Sequence, residues 1–310
     1  MLRALGWLGK QGRYCLIVGL CVGLAAPALA EFLRPWIGMM VALLLCVTSI
    51  RVGARSAFGN LQDLGPTLAR IGVLQTALPL AVAGVLIAVG VADNVLSMAV
   101  VLLLAAPSLT GAPNFAIMIG RDPAPGMRLL VVGTALFPLT VLPVLLLLDP
   151  GDAGPLGALL LSVKLLAAIL AAAGLGFALR AMAPGFGKPD ARAALDGIAT
   201  LLLAIVVVAL MSAVGPVLRY APMEVLHWLS VALAINVLLV LATLQISRRS
   251  CLQMGLATAI YAGNRNIALF LIALPEAVAA PLLVFVGCYQ IPMYLTPVLL
   301  SRLQLKDTVN

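Results

Sequence analysis

Apolar residues in this chain do not alternate with polar ones. They run in blocks of about twenty, broken by short polar stretches rich in Gly, Pro and Arg. Ten blocks can be drawn, at approximately 14–33, 36–53, 67–91, 95–119, 127–148, 157–180, 195–216, 225–246, 252–274 and 277–300. A helix of about twenty apolar residues spans the ~30 Å hydrocarbon core of a bilayer. The pattern predicts an all-α membrane protein of ten transmembrane helices. The second block is short, and the tenth holds Gly287, Pro292 and Pro297, so neither need be a straight rod.

Composition supports this reading. Of 310 residues, 63% are hydrophobic and 10% charged, whereas a soluble chain carries about 25% charge. No soluble core absorbs so much apolar surface, and no block of residues remains for a soluble domain. The five cysteines, Cys15, Cys21, Cys46, Cys251 and Cys288, lie in or beside apolar runs without CxxC spacing and read as small hydrophobes. The first run ends in Ala28-Leu29-Ala30, which has the form of a signal-peptide cleavage site. Retention as the first helix is the better expectation, because cleavage would leave nine helices.

The net charge of +8 changes the picture only through its placement. With alternating loops and the N-terminus inside, one side receives Arg3, Lys10, Arg13, Arg51, Arg55, Arg70, Arg121, Arg128, Arg180, Lys188, Arg192, Arg248, Arg249, Arg302 and Lys306. The other receives Arg34 and Arg219, fifteen against two. This is a positive-inside pattern. It predicts an even helix count, both termini cytoplasmic and a multi-pass location in the inner membrane. These charges meet lipid headgroups, so nucleic acid is not an expected partner. Trp7, Trp36 and Trp228 are expected as interface anchors, and His227 beside Trp228 as an interfacial residue.

The polar link Asp149-Pro-Gly-Asp-Ala-Gly-Pro155 halves the chain. Residues 1–150 then form a first repeat of helices one to five, and residues 151–310 a second of helices six to ten. With an odd number of helices each, the halves insert with opposite orientation. That five-plus-five inverted repeat is a common transporter design, with the site where broken helices meet at mid-depth. Matching breaks are present. The fourth block is interrupted at Pro107-Ser-Leu-Thr-Gly-Ala-Pro-Asn114 and the ninth at Tyr261-Ala-Gly-Asn-Arg-Asn266. Asn114 and Asn266 are 152 positions apart (266 minus 114), close to the offset between halves. Gly and Pro open the hydrogen-bond ladder, and Ser108, Thr110, Asn114, Asn264 and Asn266 are candidates to satisfy what it releases.

At these two segments the chain resembles the bile acid:sodium symporter family. The resemblance extends over nearly the whole chain, through the ten-helix count, the N-in topology and the inverted repeat. The family's fourth helix carries a Ser/Thr-Asn break after a Pro, read here as Ala106-Pro-Ser-Leu-Thr-Gly-Ala-Pro-Asn114. Its ninth carries Glu-x-Gly-x-Gln-Asn, read here as Tyr261-Ala-Gly-Asn-Arg-Asn266. The resemblance implies a panel domain of helices one, two, six and seven. It also implies a core domain of helices three to five and eight to ten, with helices four and nine crossing at their unwound centres. The implied activity is sodium-coupled uptake of organic anions.

The family's sodium residues are only partly present. Tyr261 stands at the Glu position, Arg265 at the Gln position and Pro113 at a Ser position. Fifth-helix hydroxyl positions fall near Met127 and Val131, with Thr134 one turn on, and Gln75 represents a third-helix Gln. None of the eleven acidic residues lies mid-span. A unit charge about 4 Å from another costs ~4 kcal/mol even at an effective dielectric near 20. Arg265 would therefore repel sodium, and no buried carboxylate offers a proton relay. Two roles for Arg265 are open and compatible: a tethered cation bonded to Asn114, Asn266 and open carbonyls, or a direct contact to an anionic substrate. Lys164 in helix six either adds a second anion contact or snorkels to the interface.

The expected function is a secondary transporter of a small organic anion, working by alternating access without sodium coupling or another cofactor. The alternative is a membrane receptor that binds such an anion without moving it. An enzyme is not expected, since there is one His and no catalytic triad or metal-ligand motif. An arsenite exporter of related fold is disfavoured because no Cys lies in the fourth-helix break.

Overall fold

The computed structural model describes residues 2–54, 64–112, 124–151, 154–249 and 255–307. Among these the protein is an α-helical membrane protein. Seven helical stretches are long and apolar enough to cross a bilayer: Pro27–Val52, Leu64–Val89, Pro125–Leu148, Gly154–Met182, Pro189–Tyr220, Pro222–Ser247 and Glu276–Met293. Two shorter apolar helices, Tyr14–Ala25 and Val95–Ala105, accompany them.

Three predicted blocks are not single rods. The block 14–33 is split at Ala26, where Pro27 ends one helix and starts the next. The blocks 95–119 and 252–274 stop being α-helical at the breaks read from sequence, after Ala105 and Gly263. The chain folds into two compact units. One comprises residues 1–59, 149–225 and 268–287; the other comprises 60–148, 226–267 and 288–310.

The first unit contains α1 (Leu2–Lys10), α2 (Gly12–Ala25), α3 (Pro27–Leu33), α4 (Ile37–Val52), α9 (Gly154–Met182) and α10 (Pro189–Tyr220). Lipid gives apolar helices no hydrophobic reason to associate, so close backbone approach through small residues does the work. On α2, a Cβ at Gly19 would lie 2.7 Å from the Ala204 carbonyl oxygen of α10, and one at Gly23 would lie 2.7 Å from Met211 Cβ. On α9, a Cβ at Gly176 would lie 2.5 Å from the Cys46 carbonyl oxygen of α4. Arg51 Nε and Asp196 Oδ1, 2.5 Å apart and both partly exposed, join α4 to α10.

The second unit holds α5 (Leu64–Ile71), a π-turn (Gly72–Ala77), α6 (Leu78–Val89) and α7 (Val95–Ala105). It also holds α8 (Ala124–Leu148), most of α11 (Pro222–Arg249), α12 (Gly255–Gly263) and the C-terminal part of α13 (Glu276–Asp307). Ile71, Leu74, Leu129, Tyr261 and Ala262 pack into one apolar cluster that joins α5, the π-turn, α8 and α12. Ala112, Val240, Ala259 and Ile260 form another, between the fourth-block break, α11 and α12.

Candidate functional site

The two breaks meet. Ser108 and Arg265 form an antiparallel β-bridge. Leu109 N–H donates to Asn264 O at 2.9 Å, and Asn266 N–H donates to Pro107 O at 2.8 Å. The local cause on α7 is Pro107. A proline excludes the α conformation from the residue before it, and Ala106 is extended at φ −64°, ψ 150°. The carbonyls of the last turn are then left without helical donors.

Arg265 supplies the missing donors. Its side chain is fully buried. Nη1 donates to Leu104 O at 2.9 Å, Ala106 O at 3.1 Å and Leu74 O at 3.1 Å. Nε donates to Ala262 O at 3.0 Å. Each acceptor is free for a traceable reason. Leu104 and Ala106 end α7. Ala262 would accept from Asn266 in a continuous helix, but that N–H is taken by Pro107 O. Leu74 would accept from Leu78 in an α-helix, but Leu78 N–H bonds Val73 O across the π-turn. The next donor in that register would be residue 79, which is Pro and has none.

The electrostatics follow from the same geometry. The C-terminal ends of α7 and α12 both present carbonyls to the guanidinium, and each helix C-terminus carries about −0.5 elementary charge. Two such ends balance one arginine, so no carboxylate is needed. The Arg265 Cζ lies 4.7 Å from the Tyr261 ring centroid, which adds a cation–π contact in a buried setting.

A second layer fixes the end of α12. The Gly263 carbonyl accepts from Asn236 Nδ2 of α11 and from Tyr289 Oη of α13, the latter at 2.5 Å. Asn236 Oδ1 accepts from Thr296 Oγ1 at 3.1 Å, and Arg265 N–H donates to Tyr289 Oη at 3.4 Å. Gly263 itself cannot carry a side chain, because a Cβ there would run into Val240 and approach Asn236 O to 2.9 Å.

The residues singled out from sequence fall as follows. Ser108 and Arg265 are paired directly, and Tyr261 stacks beneath the guanidinium. Asn264 and Asn266 contribute backbone groups to the crossing. Asn264 Nδ2 turns back to Ile260 O at 2.9 Å. Gln75 lies in the π-turn, fully buried, with Nε2 donating to Gly133 O at 3.3 Å. Thr134 is buried on α8, the next residue after Gly133, and Thr110 is half-buried in the break. Asn114 lies outside the described residues. Lys164 belongs to the first unit and is exposed on α9. Of the partners expected for the guanidinium (Asn114, Asn266 and open carbonyls), the carbonyls are the ones seen: among the described residues its acceptors are all backbone carbonyls. Trp228, expected at the interface, is buried at 8% exposure.

Sequence reasoning missed Asn236, Tyr289, Thr296 and Gly133. A lone Asn within the apolar run 231–242 was a usable signal for Asn236. Neither protein-family models nor curated proteins give any match to this chain.

Proposed function

We propose that this protein is a secondary transporter of a small organic anion, working by alternating access, with Arg265 as a resident cation in place of a bound sodium ion. The observation that carries the reading is the Arg265 cage. A guanidinium neutralises two helix C-termini where broken helices cross, in a chain made almost wholly of apolar helices. Broken helices paired at a charged centre are the hallmark of ion and substrate sites in transporters. An ionisable residue at membrane depth is a functional candidate by default.

The ten-helix, five-plus-five arrangement of the bile acid:sodium symporter family accounts for further features. Residues 1–59 and 149–225, the predicted helices one, two, six and seven, fall in one unit; 60–148 and 226–267, the predicted helices three to five, eight and nine, fall in the other. This division follows the proposed panel and core except at residues 268–287, the end of helix nine and the first half of helix ten, which fall with the panel helices. The paired positions Ser108 and Arg265 are related by nearly the same offset as the two halves.

Of the two roles for Arg265, the resident cation has the greater support. Nε and Nη1 are committed to carbonyls, so among the described residues only Nη2 has donors left for an anion. The test is uptake of labelled keto acids, pantoate and bile acids into proteoliposomes, with sodium or choline as the only cation. Uptake in choline supports the reading, and strict sodium dependence defeats it. Saturable binding with no uptake of any substrate would favour the receptor.

A further inference from the structure

Beside the guanidinium, Gln75 Oε1 and Tyr261 Oη are fully buried and have no hydrogen-bond partner among the described residues. Arg265 Nη2 is a third such atom. Buried polar atoms are rarely left unpaired, and each one calls for an explanation. The first two face one spot. A Cβ built on Gly133 would lie 3.5 Å from Gln75 Oε1 and 3.7 Å from Tyr261 Oη, both ordinary contacts. Residue 133 puts no side chain between these oxygens and the helix, and it is a glycine in the interior of α8, where Gly is otherwise unfavourable.

The chemistry of the three walls selects the occupant. Gln75 Oε1 only accepts, and its amide orientation is fixed because Nε2 donates to Gly133 O. Tyr261 Oη can donate or accept. A monovalent cation would be repelled by Arg265, which bonds the carbonyl of Leu74 next door and lies over the Tyr261 ring, and an anion, though Arg265 attracts it, has no proton to give to Oε1. An apolar group would leave both oxygens unpaired. What fits is a neutral, single-heavy-atom group that both donates and accepts.

We propose that Gln75, Tyr261 and Gly133 enclose a binding site for one buried water, which bridges the π-turn, α8 and α12. Gly133 is glycine because a methyl group would displace that water. The proposal does not depend on the transport reading, and its test measures stability alone.

The experiment is the thermal midpoint of the purified full chain in detergent. Gly133→Ala puts a methyl in the site. Helix propensity alone would raise the midpoint; a displaced water lowers it, by about 3 °C. In a Gln75→Leu/Tyr261→Phe background no oxygen is left to pair, and Gly133→Ala then raises the midpoint. Gly133→Ser brings a hydroxyl to the same spot and restores the midpoint toward the native value, which decides the matter should the double variant not survive purification. A rise with Gly133→Ala in the native background overturns the proposal. So does an equal drop for Ala and Ser, which would show steric crowding, or a native midpoint that rises with sodium but not with choline, which would place a cation there.

Discussion

Removing the Arg265 guanidinium tests the cage most directly. Arg265→Ala strips donors from four buried carbonyls, those of Leu74, Leu104, Ala106 and Ala262. A buried acceptor without a donor costs about 1–3 kcal/mol. Three of the four share the two hydrogens of Nη1, so the low end applies and the sum is roughly 4 kcal/mol. A second route gives the same scale: removing one side of a buried, charge-balanced pairing costs about 3–5 kcal/mol. The loss is set against a total stability of order ~5–15 kcal/mol, so the variant inserts and folds but with its crossing weakened by about three powers of ten.

The assay combines thermal unfolding in detergent with anion uptake in proteoliposomes. The expected result is a clear drop in midpoint and loss of uptake. Free guanidinium at millimolar concentration restores part of the midpoint, and choline at equal ionic strength does not. Arg265→Lys falls between, because an ammonium keeps the charge at one point but cannot reach four acceptors in a fork. Native stability and native uptake in Arg265→Ala would refute the reasoning, since four stranded carbonyls and two unbalanced helix ends cannot be silent.

The native protein is expected to show the same anion uptake and thermal midpoint in sodium as in choline; a sodium-specific increase in both would mean that the guanidinium does not replace the ion. Asn236→Ala removes a donor to the Gly263 carbonyl and one of the two acceptors of Thr296, the other being Pro292 O, and is expected to lower stability by about 1–3 kcal/mol, read as a fall in the detergent midpoint. Gly176→Val forces α9 away from the Cys46 carbonyl and is expected to cost about 1–3 kcal/mol and to reduce the yield of folded protein; an unchanged yield and midpoint would mean that α4 and α9 do not pack as described.

Much of this protein is set by the order of its residues alone. Apolar blocks of spanning length specify a membrane protein, because water tolerates no such surface and lipid demands internally bonded helices. Pro107 and Gly263 specify where two of those helices stop, since one blocks the preceding α conformation and the other admits a close neighbour. A charged side chain mid-span with no acidic residue at that depth already pointed to Arg265 as the centre. What holds that charge was decided by tertiary structure. The sequence suggested Asn side chains and open carbonyls, but backbone carbonyls are present at every residue and nothing in the letters marks which are free. They become free only when Leu78 bonds one residue further back, when Pro79 offers no proton, and when Asn266 pairs with Pro107 of another segment. Those are choices of hydrogen-bond register between distant parts of the chain. The bonds from Asn236 and Tyr289 to Gly263 belong to the same class, for they exist only once α11 and α13 lie against the end of α12.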